Sequence, residues 1–184
     1  MKKQLDALDN YLREKRPDFY SMLNEPLKEN QIKALEEKFN ITLPKDLKEL
    51  YQWKNGQRND CCDSFVNNSM FMPLEEALDS GSEFTSMIGY DFDIENWWNE
   101  NWIPILHNGG GDYICYDISG IFTGEQGQLI EFWHADNDRN IIAPNLQCFI
   151  EAINKFYETK KEKNLDEYFE IENIKDFPKR FYVD

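Results

Sequence analysis

The sequence predicts a single domain that combines α-helices with a β-sheet. Apolar residues recur at helical spacing near both ends of the chain, whereas two apolar runs in the middle flank a glycine-rich turn, as in a β-hairpin. A chain of 184 residues is long enough for one well-buried core and too short for two. Its 41% hydrophobic content, with 15% aromatic residues, is typical of a folded domain rather than a disordered chain.

Three helices are predicted in the first third of the chain. Leucines spaced by three and four residues indicate an amphipathic helix over about 3–15, which ends before Pro17. A similar apolar stripe indicates a second helix over about 29–39. The third helix has Pro44 in its first turn, where the missing N–H costs nothing, and it ends near Gly56.

The middle of the chain supplies the predicted strands. A short strand over 69–72 leads into a short helix over 73–79, which a proline opens. The apolar runs 102–106 and 113–116 flank three consecutive glycines, which permit positive φ angles and a tight chain reversal. Residues 127–133 are predicted to form a further strand because their β propensity is high.

These elements divide the predicted domain into three parts. Residues 1–28 form an N-terminal helical extension, 29–160 the core, and 161–184 a C-terminal tail that packs on the core because it keeps several apolar residues. A long helix over about 145–161 closes the core. Residues 80–101, just before the hairpin, form an insertion-like loop that mixes acidic and aromatic side chains.

The formal net charge is −15, and all of the excess lies in the middle of the chain. Residues 59–138 contain 16 acidic residues and no lysine or arginine, whereas the remaining segments hold 19 acidic residues against 20 basic ones. Such a segment disfavours binding to nucleic acids and anionic membranes and favours a basic protein partner. A surface that merely keeps the protein in solution is an equally good interpretation of the charge alone.

The expected location is the cytoplasm, because the sequence carries no signal for export or membrane insertion. No run of about 18 apolar residues occurs, and aspartates interrupt the N-terminal segment where a secretory signal needs an apolar stretch. The cysteines Cys61, Cys62, Cys115 and Cys148 have neither the spacing of a zinc site nor the density of a disulfide scaffold. We expect reduced thiols, no metal and no cofactor.

Three polar motifs resemble parts of chemical sites, and each lacks a required component. The triple glycine is followed by Asp112 and a strand, whereas a phosphate loop needs a helix N-terminus and usually a lysine. The stretches that begin at Asp91 and Asp136 start like calcium loops but lack the sixth-position glycine and the twelfth-position glutamate. His107 and His134 have no paired spacing and no nucleophile motif, so a hydrolase that uses them is the least favoured function.

Several short motifs follow one another along residues 29–156. They are a Leu-Pro pair before a helix, an Asn-Gly pair after it, a strand and short helix over 70–78, a Trp-x-Pro strand, a Gly-Gly-Asp turn, a Cys-x-Asp strand end, and a glycine at 127 before an aromatic strand. Their key positions are Leu43, Pro44, Gly56, Trp102, Pro104, Gly111, Asp112 and Asp117. In this order the motifs resemble the SUKH superfamily, which comprises cell-wall-assembly regulators of the Smi/Knr type and bacterial immunity proteins.

The resemblance implies an α+β fold with a central, mainly antiparallel sheet flanked by helices. It also implies no enzymatic activity, since bacterial members look like immunity proteins that bind and neutralise toxin domains, often nucleases. The leading hypothesis is therefore a non-enzymatic immunity protein that binds a cognate, basic toxin domain through its acidic surface. The alternative is an intracellular regulatory interaction scaffold, like the fungal members in cell-wall signalling.

The segment before the hairpin holds the candidate partner-binding residues. Aromatic anchors among acidic residues are typical of interface hot spots, where the acids steer a basic partner. The candidates are Asp91, Asp93, Glu95, Trp97, Trp98 and Glu100. The two tryptophans have an equally good second interpretation, in which one or both cover the sheet.

Overall fold

The computed structural model describes residues 1–159 and 170–184, and it confirms the α+β class. Its helices are α1 (Lys2–Lys15), α2 (Pro17–Ser21), α3 (Glu29–Phe39), α4 (Lys45–Trp53), α5 (Leu74–Ser86) and α6 (Leu146–Thr159). Its strands are β1 (Met70–Phe71), β2 (Trp102–His107), β3 (Tyr113–Asp117), β4 (Gln128–Phe132) and β5 (Ile141–Ala143). The strands form one antiparallel sheet in the order β1-β2-β3-β4-β5.

The predicted hairpin is confirmed, and it forms the centre of the sheet. β2 and β3 pair along their length, beginning with Trp102 opposite Asp117. A bulge between Pro104 and Leu106 interrupts the alternation of side chains, and the first five residues of β2 are all buried. The hairpin is therefore covered on both faces and is held in place from two sides.

Two apolar clusters lie on the two faces of the sheet. α1, α4 and α6 pack together over one face, to which the sheet contributes Ile103, Ile105, Ile114, Tyr116 and Leu129. The buried residues of the second cluster are Trp98, Trp102, Cys115, Ile130, Phe132 and Ile141. Neighbouring residues of β3 and β4 alternate between the clusters, as expected for strands buried on both faces.

The helix after β1 is longer than the sequence indicates. The predicted helix over 73–79 extends to Ser86, so the first residues of the expected loop over 80–101 are helical. A Ser-Gly-Ser sequence around Gly81 conceals this, because glycine lowers helix propensity. A Cβ at position 81 would lie 3.4 Å from a side-chain carbon of Pro104 and 3.5 Å from the Trp102 carbonyl oxygen, so the small residue lets α5 approach β2 closely.

Two further elements are absent from the sequence prediction. The last strand predicted from the sequence ends at residue 133, yet β5 follows and pairs with β4 through Ile141 and Ala143. Three residues are too few to show a period, so this strand is defined by its partner alone. The second element is α2, a single turn that begins with Pro17 and buries Phe19.

The two ends of the chain contribute to both faces of the sheet. α1 lies along α6 and buries Leu5, Leu8 and Leu12 in the larger core. Of the tail, residues 160–169 lie outside the described residues, as does the end of the helix predicted over 145–161. In the described part, Ile171 and Ile174 pack on the larger cluster, and Phe177 and Phe181 on the second.

Both edges of the sheet are paired with other parts of the chain. At β5, Ile141 and Lys179 exchange two backbone hydrogen bonds of 2.8 and 2.9 Å, and the Val183 N–H donates to the Asn137 carbonyl at 3.0 Å. At β1, Phe71 exchanges hydrogen bonds with Gln57, using the backbone N–H and the side-chain oxygen of that glutamine. An added strand from another protein would have to displace these contacts.

Candidate protein-binding surface

The segment between α5 and β2 covers the second face of the sheet. Trp98 is only 2% exposed, and its ring lies 4.8 Å from Phe84, 5.1 Å from Phe132 and 5.7 Å from Trp102. Its indole Nε1–H donates to the Thr85 hydroxyl at 3.2 Å. The interpretation of Trp98 as an exposed anchor is therefore wrong, because the hydrophobic second face of the sheet needs this ring as its cover.

Trp97 contacts the buried side chain of Arg139, a residue that the sequence analysis did not single out. The Arg139 side chain donates to the carbonyl oxygens of Trp97, Trp133, Asp136 and Asp138 at 2.6–3.4 Å. Its guanidinium lies 4.8 Å from the ring centres of both Trp97 and Phe132. Burial lowers the pKa of Arg139 to about 10, so it remains charged at neutral pH. Trp97 is half-buried as a result.

Arg139 could have been noticed from one feature of the sequence. It is the first basic residue after the stretch over 59–138 that lacks lysine and arginine. Its burial follows from tertiary contacts, because the turn after β4 supplies three carbonyl groups and Trp97 supplies a fourth around one side chain. These contacts fasten the segment before β2 to the turn between β4 and β5.

The acidic candidates lie on the outer side of the same segment. Asp91, Asp93, Glu95 and Glu100 are all exposed. Among the described residues, none of the four forms an ion pair, whereas Glu75 and other acids of the middle stretch do. Lys38 lies 2.8 Å from Glu75 and 3.9 Å from Asp79, and Arg58 lies 2.7 Å from Asp60. The segment between α5 and β2 thus carries four exposed negative charges within ten residues, and none of them has an ion-pair partner among the described residues.

The wider acidic stretch is mostly at the surface. Eleven of its 16 acidic residues are exposed, four are partly buried, and Asp117 is fully buried. The excess negative charge of the middle stretch therefore lies mainly on the surface of the folded chain. It does not by itself distinguish a binding surface from a surface that promotes solubility.

Exposed apolar residues accompany these acids in a compact turn, which we call the 87–96 turn. Ile88 is 44% exposed, Tyr90 83% and Ile94 37%. The Met87 carbonyl accepts hydrogen bonds from three successive N–H groups, those of residues 90–92, at 3.0–3.1 Å. Phe92 points the other way and packs on the second cluster. The sequence hypothesis named none of these apolar residues as anchors, since it took the tryptophans instead.

The motif residues that carry the resemblance serve the fold, through burial, hydrogen bonds or the backbone conformation of turns. Asp117 is fully buried at the end of β3, and its carboxylate accepts hydrogen bonds from the N–H groups of residues 119–121 and from Gln128 Nε2. Gly56 adopts φ +71° between α4 and β1. Leu43, Trp102 and Pro104 are buried, and Pro44 is the N-cap residue of α4.

Asp112 and His134 form a pair that stabilises the hairpin turn. Asp112 Oδ1 accepts the backbone N–H of His134 at 3.0 Å and lies 2.7 Å from His134 Nδ1, while Asn108 Nδ2 donates to Oδ2 at 2.7 Å. Burial opposes ionisation, but the hydrogen bonds from His134 and Asn108 lower the pKa of Asp112 below its ordinary value. Gly111 packs against the imidazole, because a Cβ there would lie 3.2 Å from it.

The remaining candidates for chemistry lie apart from this pair. His107 is partly buried, which lowers its pKa, and its Nδ1 accepts the Gly109 N–H at 3.2 Å. Cys115 is fully buried, and burial raises the pKa of its thiol well above the ordinary value. Within residues 1–159 and 170–184, no three His, Cys, Asp or Glu side chains are grouped so that they could hold a metal ion. In the same residues, every helix is too short or too polar to cross a membrane.

Comparison with known protein families identifies a match. A family model described as SMI1 / KNR4 family (SUKH-1) matches residues 26–152, from just before α3 into α6. The matched region contains the whole sheet, the 87–96 turn, and the hairpin. A comparison with curated proteins found no match.

Proposed function

Because the chain belongs to the SMI1 / KNR4 family (SUKH-1), we propose that it is an immunity protein that binds and neutralises a basic toxin domain. The observation that carries this proposal is the uncompensated acidic surface between α5 and β2. Asp91, Asp93 and Glu95 lie on one short turn with no basic side chain in ion-pair distance among the described residues. Such a surface accelerates encounter with a basic partner and disfavours acidic ones.

The partner meets side chains rather than a free strand edge. Both edges of the sheet pair with the chain itself, at Gln57 on one side and at Lys179 on the other. Addition of a strand from the toxin would therefore cost existing hydrogen bonds. A surface of acidic and apolar side chains on the 87–96 turn is available without such a loss.

The proposal treats the chain as a binding protein rather than an enzyme. It is supported by the contacts of the polar and thiol groups that could otherwise take part in catalysis. Asp112 in the hairpin turn and His134 after β4 bind each other, and Cys115 is buried in the second cluster. Each of these groups already serves the fold, and binding alone is sufficient to occlude the active site of a toxin.

Co-expression with each protein encoded beside the gene, as the candidate toxin, tests the proposal. We expect cells that produce the toxin to survive only when this chain is present, and the two purified proteins to form a complex. Absence of both protection and complex would refute the proposal. A chain that gives no protection and captures a partner unrelated to toxins would instead favour the regulatory scaffold.

Reversal of three charges tests the acidic surface. The variant Asp91→Lys/Asp93→Lys/Glu95→Lys is expected to associate with the toxin domain about 10- to 100-fold more slowly at low salt, because electrostatic steering is lost. Its association rate should also depend less on ionic strength. Stopped-flow or surface plasmon resonance measurements over a salt series provide the check.

A matched variant separates the effect of the charges on the 87–96 turn from the effect of the net charge on the association rate. Asp6, Glu14 and Glu37 are exposed, lie outside 59–138 and form no ion pair among the described residues, so their triple reversal to lysine changes the net charge equally. We expect a much smaller decrease in association rate for this variant. Equal decreases in both variants would mean that net charge, rather than the 87–96 turn, controls binding.

A further inference from the structure

The 87–96 turn groups large apolar side chains that are exposed to solvent. Within the described residues, the exposed large apolar side chains are Ile88, Tyr90, Ile94, Trp133 and Tyr182. Three of the five lie within seven residues of one another, and Tyr90 is the most exposed at 83%. A surface that serves only solubility would not concentrate apolar side chains in this way.

The turn is held rigidly before any partner arrives. The Met87 carbonyl accepts three N–H groups, and the Gly89 N–H donates to the Phe92 carbonyl at 3.1 Å. The Phe92 ring lies 6.2 Å from both Phe84 and Phe132 and anchors the turn on the second cluster. Little backbone conformational entropy therefore remains to be lost when the outer side chains are bound.

From this arrangement we propose that Tyr90 is the anchor of the interface and enters an apolar pocket bordered by lysine or arginine on the toxin domain. The ring lies beside Ile88 and Ile94 in the chain, and the acids Asp91, Asp93 and Glu95 alternate with the apolar residues. An aromatic anchor gives affinity by filling a dry pocket, and the flanking carboxylates pair with basic residues at its rim. The inference rests on the proposed function and names the chemistry of its partner.

Truncation of the anchor is the direct test. Tyr90→Ala is expected to weaken binding to the purified, catalytically inactivated toxin domain from the adjacent gene by at least about 30-fold, mainly through faster dissociation. Tyr182→Ala removes another exposed aromatic ring, 62% exposed, and serves as the control that changes affinity by less than about threefold. Neither variant should change the melting temperature by more than about 2 °C, because both side chains are mainly in solvent.

A pair of glycine variants tests the shape of the turn. Gly89 and Gly124 have φ of +83° and +80°, and a Cβ at either would meet no atom within 4 Å, so alanine strains both backbones without a clash. We expect both variants to lose similar stability, whereas only Gly89→Ala lowers toxin affinity, by about tenfold or more. Equal affinities for the two variants would contradict a preorganised turn.

The outcomes separate this inference from the proposed function. A wild-type complex that Tyr90→Ala leaves unchanged would overturn the anchor and leave the immunity function standing, whereas no wild-type complex would overturn both. Sedimentation of the free chain measures its oligomeric state and tests the alternative in which a second copy of this chain occupies the surface. If the wild type is a dimer and Tyr90→Ala is a monomer, the turn is a self-association surface and the proposed pocket is wrong.

Discussion

Gly56→Ala is expected to destabilise the fold by about 3 kcal/mol or more, which is a larger loss than we expect for Gly89→Ala or Gly124→Ala. A Cβ at this position would lie 2.3 Å from the Pro73 nitrogen and 2.4 Å from the Met72 carbonyl carbon, and both contacts are with backbone. The residue also adopts φ +71°, which costs an L-amino acid about 1–2 kcal/mol. The glycine therefore allows the end of α4 to touch the chain between β1 and α5.

Urea denaturation of Gly56→Ala and Gly124→Ala measures this effect. Gly124 has a similar φ of +80° but open space around a Cβ, so its variant should lose only about 1–2 kcal/mol. The difference between the two variants isolates the steric clash. If Gly56→Ala were no less stable than Gly124→Ala, close backbone packing would not be the reason for this glycine.

Asp117→Ala is expected to cost about 3–5 kcal/mol of unfolding free energy, because it removes a fully buried acceptor. The N–H groups of Ser119, Gly120 and Ile121 lie 2.6–3.1 Å from the carboxylate, and Gln128 Nε2 lies 2.8 Å away. The alanine variant leaves all of these donors without this acceptor. We also expect faster amide exchange in the 118–127 loop, which this carboxylate organises.

Two further variants calibrate the Asp117 result. Asp117→Asn keeps one acceptor oxygen but directs an amide NH2 toward the donors, so an intermediate loss is expected. Asp93→Ala removes an exposed carboxylate with no hydrogen-bond partner among the described residues and should change stability by less than about 0.5 kcal/mol. Equal stabilities for Asp117→Ala and Asp93→Ala would show that the carboxylate does not organise the loop.

The elements with local signals could be predicted from the sequence. α1, α3 and α4 show helical periodicity within themselves, and the β2–β3 hairpin carries its own glycine turn. β5 and the second half of α5 could not be predicted in the same way. β5 exists because it pairs with β4, and α5 continues through Gly81 because β2 lies against it. Both depend on contacts that are distant in the sequence.

The exposure of the candidate acidic residues could be predicted from the sequence, whereas the orientation of the aromatic residues beside them could not. The charge pattern identified Asp91, Asp93 and Glu95, and charged side chains between buried elements usually face solvent. The direction of an aromatic side chain in a loop is set by what lies beneath it. Trp98 is buried because Phe84, Trp102 and Phe132 surround it, whereas no apolar cluster lies over Tyr90, which is 83% exposed. Periodicity gives no rule for this choice.

The 87–96 turn has one side packed on the sheet and one side in solvent, and this arrangement affects how its sequence can change. Phe92 faces the sheet, while Tyr90, Asp91 and Asp93 face outward from the same few residues. Under the proposed function, mutations at the outward positions would change which protein is recognised while the inward ring continues to support the fold. The proposed interface thus separates partner choice from folding at different positions of one segment, so new specificities would arise here at little cost in stability.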